Sequence, residues 1–143
     1  MSSDGHTANL MSPADLLPML DALTAQLGWS SKTRFQIELA LEELVVNTFM
    51  HGKTAQHGPH NPIAVRVSVT QTGQEVEIVL HDNGAPFDPS GFAEPDLTSC
   101  AEDRPVGGLG LFLTSKMMDE VHYQRLGDHN AVVLRKRTGT DTP

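Results

Sequence analysis

Residues 39–52 read LALEELVVNTFMHG. Glu42, Glu43 and Asn47 stand there among residues suited to a buried helix, and the stretch ends in His51-Gly52. At about 100° per residue, Glu43 and Asn47 are neighbours on one narrow stripe, whereas Glu42 turns away from it and falls in line with Glu38. A carboxylate held beside apolar surface is costly without a partner or a task. A carboxylate and a carboxamide oxygen are also hard ligands. They suit a Mg²⁺ ion that keeps several waters and shares its shell with phosphate oxygens. The plainer alternative is a solvated helix edge on which Glu43 and Asn47 hydrogen-bond each other.

Two later stretches carry polar chemistry of their own. HDNGAPFD (81–88) follows an alternating apolar run, which places Asp82 at a strand end and on the floor of a cleft. There it could accept a hydrogen bond from an exocyclic amine such as that of adenine, and Gly84 would let a planar ring approach the backbone. Asn-Gly is equally a common turn dipeptide. GGLGLFL (107–113) is a glycine-rich loop opening a helix. Backbone N–H groups at such a start favour phosphate, although tight packing alone also calls for glycine. It is neither a P-loop nor a dinucleotide fingerprint.

These residues need elements to position them. Ser12-Pro13-Ala14-Asp15 is a helix start, Leu16, Leu20, Leu23 and Leu27 recur at helical spacing, and Gly28 is a stop. A second helix runs from Ser30 or Ser31 to His51, ended by Gly52. Its Ile37, Leu41, Leu44 and Val45 form one apolar stripe and Leu39, Val46 and Met50 lie nearly opposite, so it is expected to be covered on both sides. After the loop KTAQHGPHNP, residues 63–70 and 75–80 alternate as two strands of a hairpin. A long loop spans 82–106, a short helix follows the glycines, and 119–126 and 131–137 form a last hairpin turned by Gly127-Asp128-His129-Asn130. Strands that do not alternate with helices exclude a doubly wound fold. The order predicts an α+β fold, a two-layer α/β sandwich with a mixed, mostly antiparallel sheet and its helices on one face. One domain is expected over 10–138, with 1–9 and 139–143 as loose tails; only Ala8–Met11 could add a strand before the first helix.

Composition narrows the function classes. A net charge of −8 makes nonspecific nucleic-acid binding unfavourable, and aromatic residues at 5% argue against a base-stacking surface. No apolar run approaches a membrane span, and no basic-then-apolar segment at the N-terminus suggests a signal peptide. One cysteine, Cys100, excludes an internal disulfide and fits a reducing cytoplasm. His51, His57 and His60 lie close in sequence, but no cysteine or paired acid beside them supports a metal site, so free loop histidines are expected.

Taken together, ExxxNxxxHG on a helix, DxGxPFD after a hairpin and GGLGL before a helix resemble the nucleotide-binding domain of the GHKL (Bergerat-fold) ATPases. The spacing is similar to that of the small single-domain branch, the anti-sigma factor serine kinases of the RsbW and SpoIIAB type. The stretch GLGLFLTSKMMDEVHYQR also looks like that branch, and the resemblance covers roughly 12–137. It implies that Asn47 ligates Mg²⁺ and that Glu43 polarises the attacking hydroxyl or water. Asp82 would bind the adenine amine with Gly84 beside the base, and Pro86 and Phe87 belong to the same box. Gly107, Gly108, Leu109 and Gly110 would wrap the phosphates. His51 would approach the phosphates or the lid, or else is a helix C-terminal histidine that simply faces the dipole. Kinases of this branch carry a basic lid residue just before the glycine box. Arg104 is the nearest candidate, separated from Gly107 by Pro105-Val106.

The resemblance further implies an ATP–Mg²⁺-dependent serine/threonine kinase that acts as a cytoplasmic anti-sigma factor. Its partners would be a sigma factor and a STAS-domain antagonist carrying the acceptor serine, and a homodimer is a compatible state. Two alternatives stand beside it. The shifted Arg104 motivates a nucleotide-gated interaction module in which nucleotide orders the 85–106 loop. The ATPase domain of a histidine kinase is the other, for which the chain is too short to hold the usual dimerisation and phospho-acceptor helices.

Overall fold

Local sequence sets the helix ends. In the computed structural model, which describes residues 3–87 and 116–138, Pro13–Asp15 form one 3-10 turn. The Asp15 carboxylate accepts the backbone N–H groups of Met11 (2.8 Å) and Ser12 (3.2 Å) there. Helix α1 (Leu16–Leu27) follows directly and stops at Gly28, whose φ of 69° lies in the left-handed region that favours glycine. Helix α2 (Ser31–His51) is capped by Ser30, whose hydroxyl accepts the Thr33 N–H at 3.1 Å.

The strands are β1 (Ser3–Leu10), β2 (Val65–Thr72), β3 (Glu75–Asp82), β4 (Glu120–Leu126) and β5 (His129–Arg137). They form one sheet in the order β1-β2-β3-β5-β4, and every pairing is antiparallel. Both tight hairpins turn through a glycine of positive φ, Gly73 at 62° and Gly127 at 66°. Alternation sends Leu10, Val65, Val67, Val69, Val76, Ile78, Leu80, Val132 and Leu134 to one face. There they form a single core with Leu16, Leu20, Leu23, Ile37, Leu41, Leu44 and Val45 of the helices. The result is the expected α+β sandwich with its helices on one face. On the other face Arg135 bridges strands, donating to Glu77 at 3.1 Å and to Glu120 at 2.7 Å.

Four features differ from expectation. The sheet is not mixed among the described residues, because each neighbouring pair of strands runs antiparallel. Residues 3–9 are not a tail: β1 pairs with β2 in register from Ser3↔Thr72 to Leu10↔Val65. Its polar sequence hides it, since an edge strand takes its backbone partners from the neighbouring strand and anchors here through the buried Leu10. The second apolar stripe of α2 is only partly covered: Leu39 and Val46 are half-buried and Met50 is 68% exposed, because among the described residues the sheet lies on the Ile37–Leu41–Leu44–Val45 side. The last hairpin turns on two residues, Gly127-Asp128, so His129 and Asn130 are strand residues. Of the helix expected after the glycine box, Lys116 and Met117 are described and are helical. Cys100, Arg104, Gly107, Gly108, Leu109 and Gly110 lie outside the described residues.

Candidate functional site

The C-terminal end of α2 meets the turn after β3, and glycine makes the approach possible. A Cβ on Gly84 would stand 3.2 Å from both Cα and O of Gly52 and 3.0 Å from Asp82 Oδ1. A Cβ on Gly52 would stand 2.6 Å from the Thr48 carbonyl oxygen. Ala85 N–H donates to the Gly52 carbonyl at 2.8 Å and locks the two segments together. The glycine that ends ExxxNxxxHG and the glycine inside DxGxPFD are therefore a contacting pair, although 32 positions separate them.

This junction builds a cleft. Its apolar walls come from Leu44, Val65, Leu80, Phe87 and Val132, and its polar groups include Asn47, His51, Asp82 and Asn130. Asp82 is 7% exposed and sits at the end of β3. Its Oδ1 accepts the Gly84 N–H at 2.8 Å and the Asn130 amide at 2.9 Å. Two donors partner the buried carboxylate, as burial of such a group requires. A flat apolar ring carrying an N–H donor matches walls and floor of this kind.

The structure brings Asn47, His51, Asp82, Pro86 and Phe87 to that one cleft, with Gly84 directly beneath it. Glu43 lies one turn before Asn47 on α2, half-buried and outside the cleft lining. Glu43 and Asn47 are both half-buried, and among the described residues no hydrogen bond joins them. His51 is the last residue of α2 and is exposed.

Several residues that hold the site escape a sequence reading. His57 is no free loop histidine. Its Nδ1 accepts the Thr54 N–H at 2.9 Å, and its Nε2 lies 2.7 Å from the Asn83 carbonyl oxygen. The backbone donor fixes the tautomer, leaving the proton on Nε2 to donate to Asn83. Asn83 in turn accepts from Ala64 N–H at 3.0 Å and donates to the Pro62 carbonyl at 3.0 Å. The 53–62 loop thus acts as a strap on the Asp82–Gly84 turn. From the other side Arg125 donates to the Gly84 carbonyl at 2.8 Å. The alternation of β4, which puts Val121, Tyr123 and Arg125 on one face, was a usable signal for Arg125. On the opposite face of the sheet, burial together with Arg66 and His129 holds His81 below the usual imidazole range.

Comparison with known proteins gives the chain its family and its relatives. The model of the histidine kinase-like ATPase domain matches residues 7–136. The chain is similar to the serine/threonine-protein kinase BtrW of Bordetella bronchiseptica, at 31% identity over 99% of this chain and 100% of that protein. It is also similar to the serine-protein kinase RsbW of Bacillus pumilus, at 29% identity over 73% of this chain and 66% of that protein. Among solved structures, the RsbU and RsbW domains of Rv1364c from Mycobacterium tuberculosis share the fold, with a TM-score of 0.59 at 15% identity. That likeness covers 92% of this chain and 32% of that one. The family match over residues 7–136, together with an antiparallel sandwich that brings the first two motifs to one cleft, makes this chain a member of the histidine kinase-like ATPase domain family.

Proposed function

We propose that this chain is an ATP- and Mg²⁺-dependent serine/threonine protein kinase that works as an anti-sigma factor in a cytoplasmic partner-switching module. The observation that carries the proposal is the meeting of Asn47 and Asp82 in one cleft, where the first two motifs converge around Gly52 and Gly84. The serine and serine/threonine kinase names of relatives aligned over most of the chain support it.

The residues divide the work by their chemistry. Asp82 accepts the exocyclic amine of the adenine, and the apolar walls take the ring faces. Asn47 lies on the helix where a carboxamide oxygen can join phosphate oxygens and waters around a hard cation. Among the described residues no group of three His, Cys, Asp or Glu side chains is gathered. A one-oxygen protein contribution fits Mg²⁺, which is bound largely through water and phosphate, and does not fit a zinc cage. When bound, the ion neutralises charge on the transferring phosphoryl group. Glu43 stands off the cleft lining, where an incoming hydroxyl would approach, and it takes that hydroxyl's proton or orients it. The acceptor belongs to a STAS-domain antagonist, and a sigma factor is the competing partner.

The test is phosphoryl transfer. A partner captured from the source cell on the full chain with ATP–Mg²⁺ is incubated and examined by mass spectrometry. One phosphoserine or phosphothreonine on the partner is expected, and Glu43→Gln lowers its rate by about a hundredfold or more while leaving nucleotide affinity in place. Nucleotide binding without transfer contradicts the kinase reading and leaves a nucleotide-gated interaction module. An unchanged rate in Glu43→Gln removes Glu43 from its role.

A further inference from the structure

Asn130 is 3% exposed and faces Asp82 across the β3–β5 ladder, where the two are register partners. Its carboxamide has one orientation that satisfies its neighbours. The Tyr123 hydroxyl donates to Oδ1 at 2.7 Å, and Arg125 Nη1 donates to the same oxygen at 3.1 Å. An NH₂ group accepts neither, so the oxygen must face β4 and the nitrogen must face the cleft. Nδ2 then donates to Asp82 Oδ1 at 2.9 Å and to the Ala85 carbonyl at 2.8 Å. With the Gly84 N–H also on Oδ1, both hydrogen bonds that Asp82 accepts among the described residues end on the same oxygen. Among the described residues no donor reaches Oδ2, which leaves that oxygen for a ligand.

We infer that Asn130, pinned by Tyr123 and Arg125, is a positioning residue that holds Asp82 with Oδ2 toward the cleft and so sets the choice of purine. The inference rests on the nucleotide reading above and deepens it. An ionised carboxylate has acceptor sites only, so a fixed Oδ2 favours a ring bearing an exocyclic amine and opposes one bearing a carbonyl oxygen at that place. Without the pin, the amide can turn its own oxygen toward Asp82, and the carboxylate loses both its second donor and its fixed direction. Arg125 strengthens the arrangement by holding the Gly84 carbonyl of the same turn. Asp82 on β3, Asn130 on β5 and Arg125 and Tyr123 on β4 thus form one clamp across three adjacent strands.

Calorimetric titration of the full chain with ATP–Mg²⁺ and with inosine triphosphate–Mg²⁺ tests this, because the two bases differ at the amine position. The wild type is expected to prefer ATP by about tenfold or more. Asn130→Leu keeps the side-chain size, and its ATP-over-inosine ratio is expected to fall by about tenfold. A merely structural loss would weaken both ligands alike and leave the ratio in place, so an unchanged ratio in a folded Asn130→Leu overturns the inference. If that variant does not fold, Tyr123→Phe decides. It removes one of the two donors on Oδ1, and a ratio reduced about threefold supports the clamp whereas an unchanged ratio overturns it. Wild-type binding of both nucleotides with equal affinity overturns the amine-selecting clamp alone. Binding of neither overturns the nucleotide reading itself.

Discussion

Gly52 shows how a residue that looks like a helix stop carries part of the site. Its carbonyl accepts from Ala85, and the backbone of Gly84 lies against it. Gly52→Ala would place a methyl group 2.6 Å from the Thr48 carbonyl oxygen, so the helix end must shift away from the turn. The expected cost is about 1–3 kcal/mol of stability, read from urea unfolding, together with weaker nucleotide binding. A variant as stable as the wild type contradicts the close approach. At this scale the sequence was informative where chemistry is local. Helical angle alone separated Glu43 from Glu42, and Asn47 and Asp82 do line one cleft. It did not reveal the roles of Asn130, Arg125 and His57, whose partners Asp82, Gly84 and Asn83 lie 48, 41 and 26 positions away. Assigning Asn130 to a four-residue turn removed the one residue of that set which faces the carboxylate.

Among the elements, α2 does most of the positioning. Its buried stripe fastens it to the sheet, so that Asn47 and His51 reach the cleft while Glu43 lies just beside it. Arg34 ties the base of this helix to α1 through an ion pair with Asp21 at 3.0 Å, while Glu38, one turn along α2, pairs with it at 2.9 Å. Burial works to lower the basicity of Arg34, but the two carboxylates outweigh it and raise it. Helix ends were legible because Ser30, Gly28 and Gly52 cap by local rules. The β1 strand was not, since SDGHTANL has little strand propensity and is ordered by pairing with β2. Leu10→Ala measures that docking. Leu10 is 1% exposed, so a loss of about 2–5 kcal/mol in urea unfolding is expected. A change within about 0.5 kcal/mol, as for a surface residue, contradicts an ordered first strand.

At the scale of the whole fold, the described residues supply five antiparallel strands, α1 and α2, and they hold the site at one end of the sheet, where β3 hands Asp82 to the C-terminus of α2. The second stripe of α2, with Leu39 and Val46 half-buried and Met50 68% exposed, shows that apolar periodicity reports what a helix can bury and not how fully it is covered. The order of elements, by contrast, was enough to give the two-layer architecture, because tight hairpins force antiparallel pairing. Everything proposed for this protein depends on that end of the sheet binding a nucleotide. The direct measurement is calorimetry of the full chain with ATP–Mg²⁺, beside Asp82→Asn as the control. One saturable site is expected in the wild type, with affinity lower by about tenfold or more in Asp82→Asn, since an amide cannot replace the charged acceptor. No binding by the wild type, or equal binding by both proteins, would contradict it.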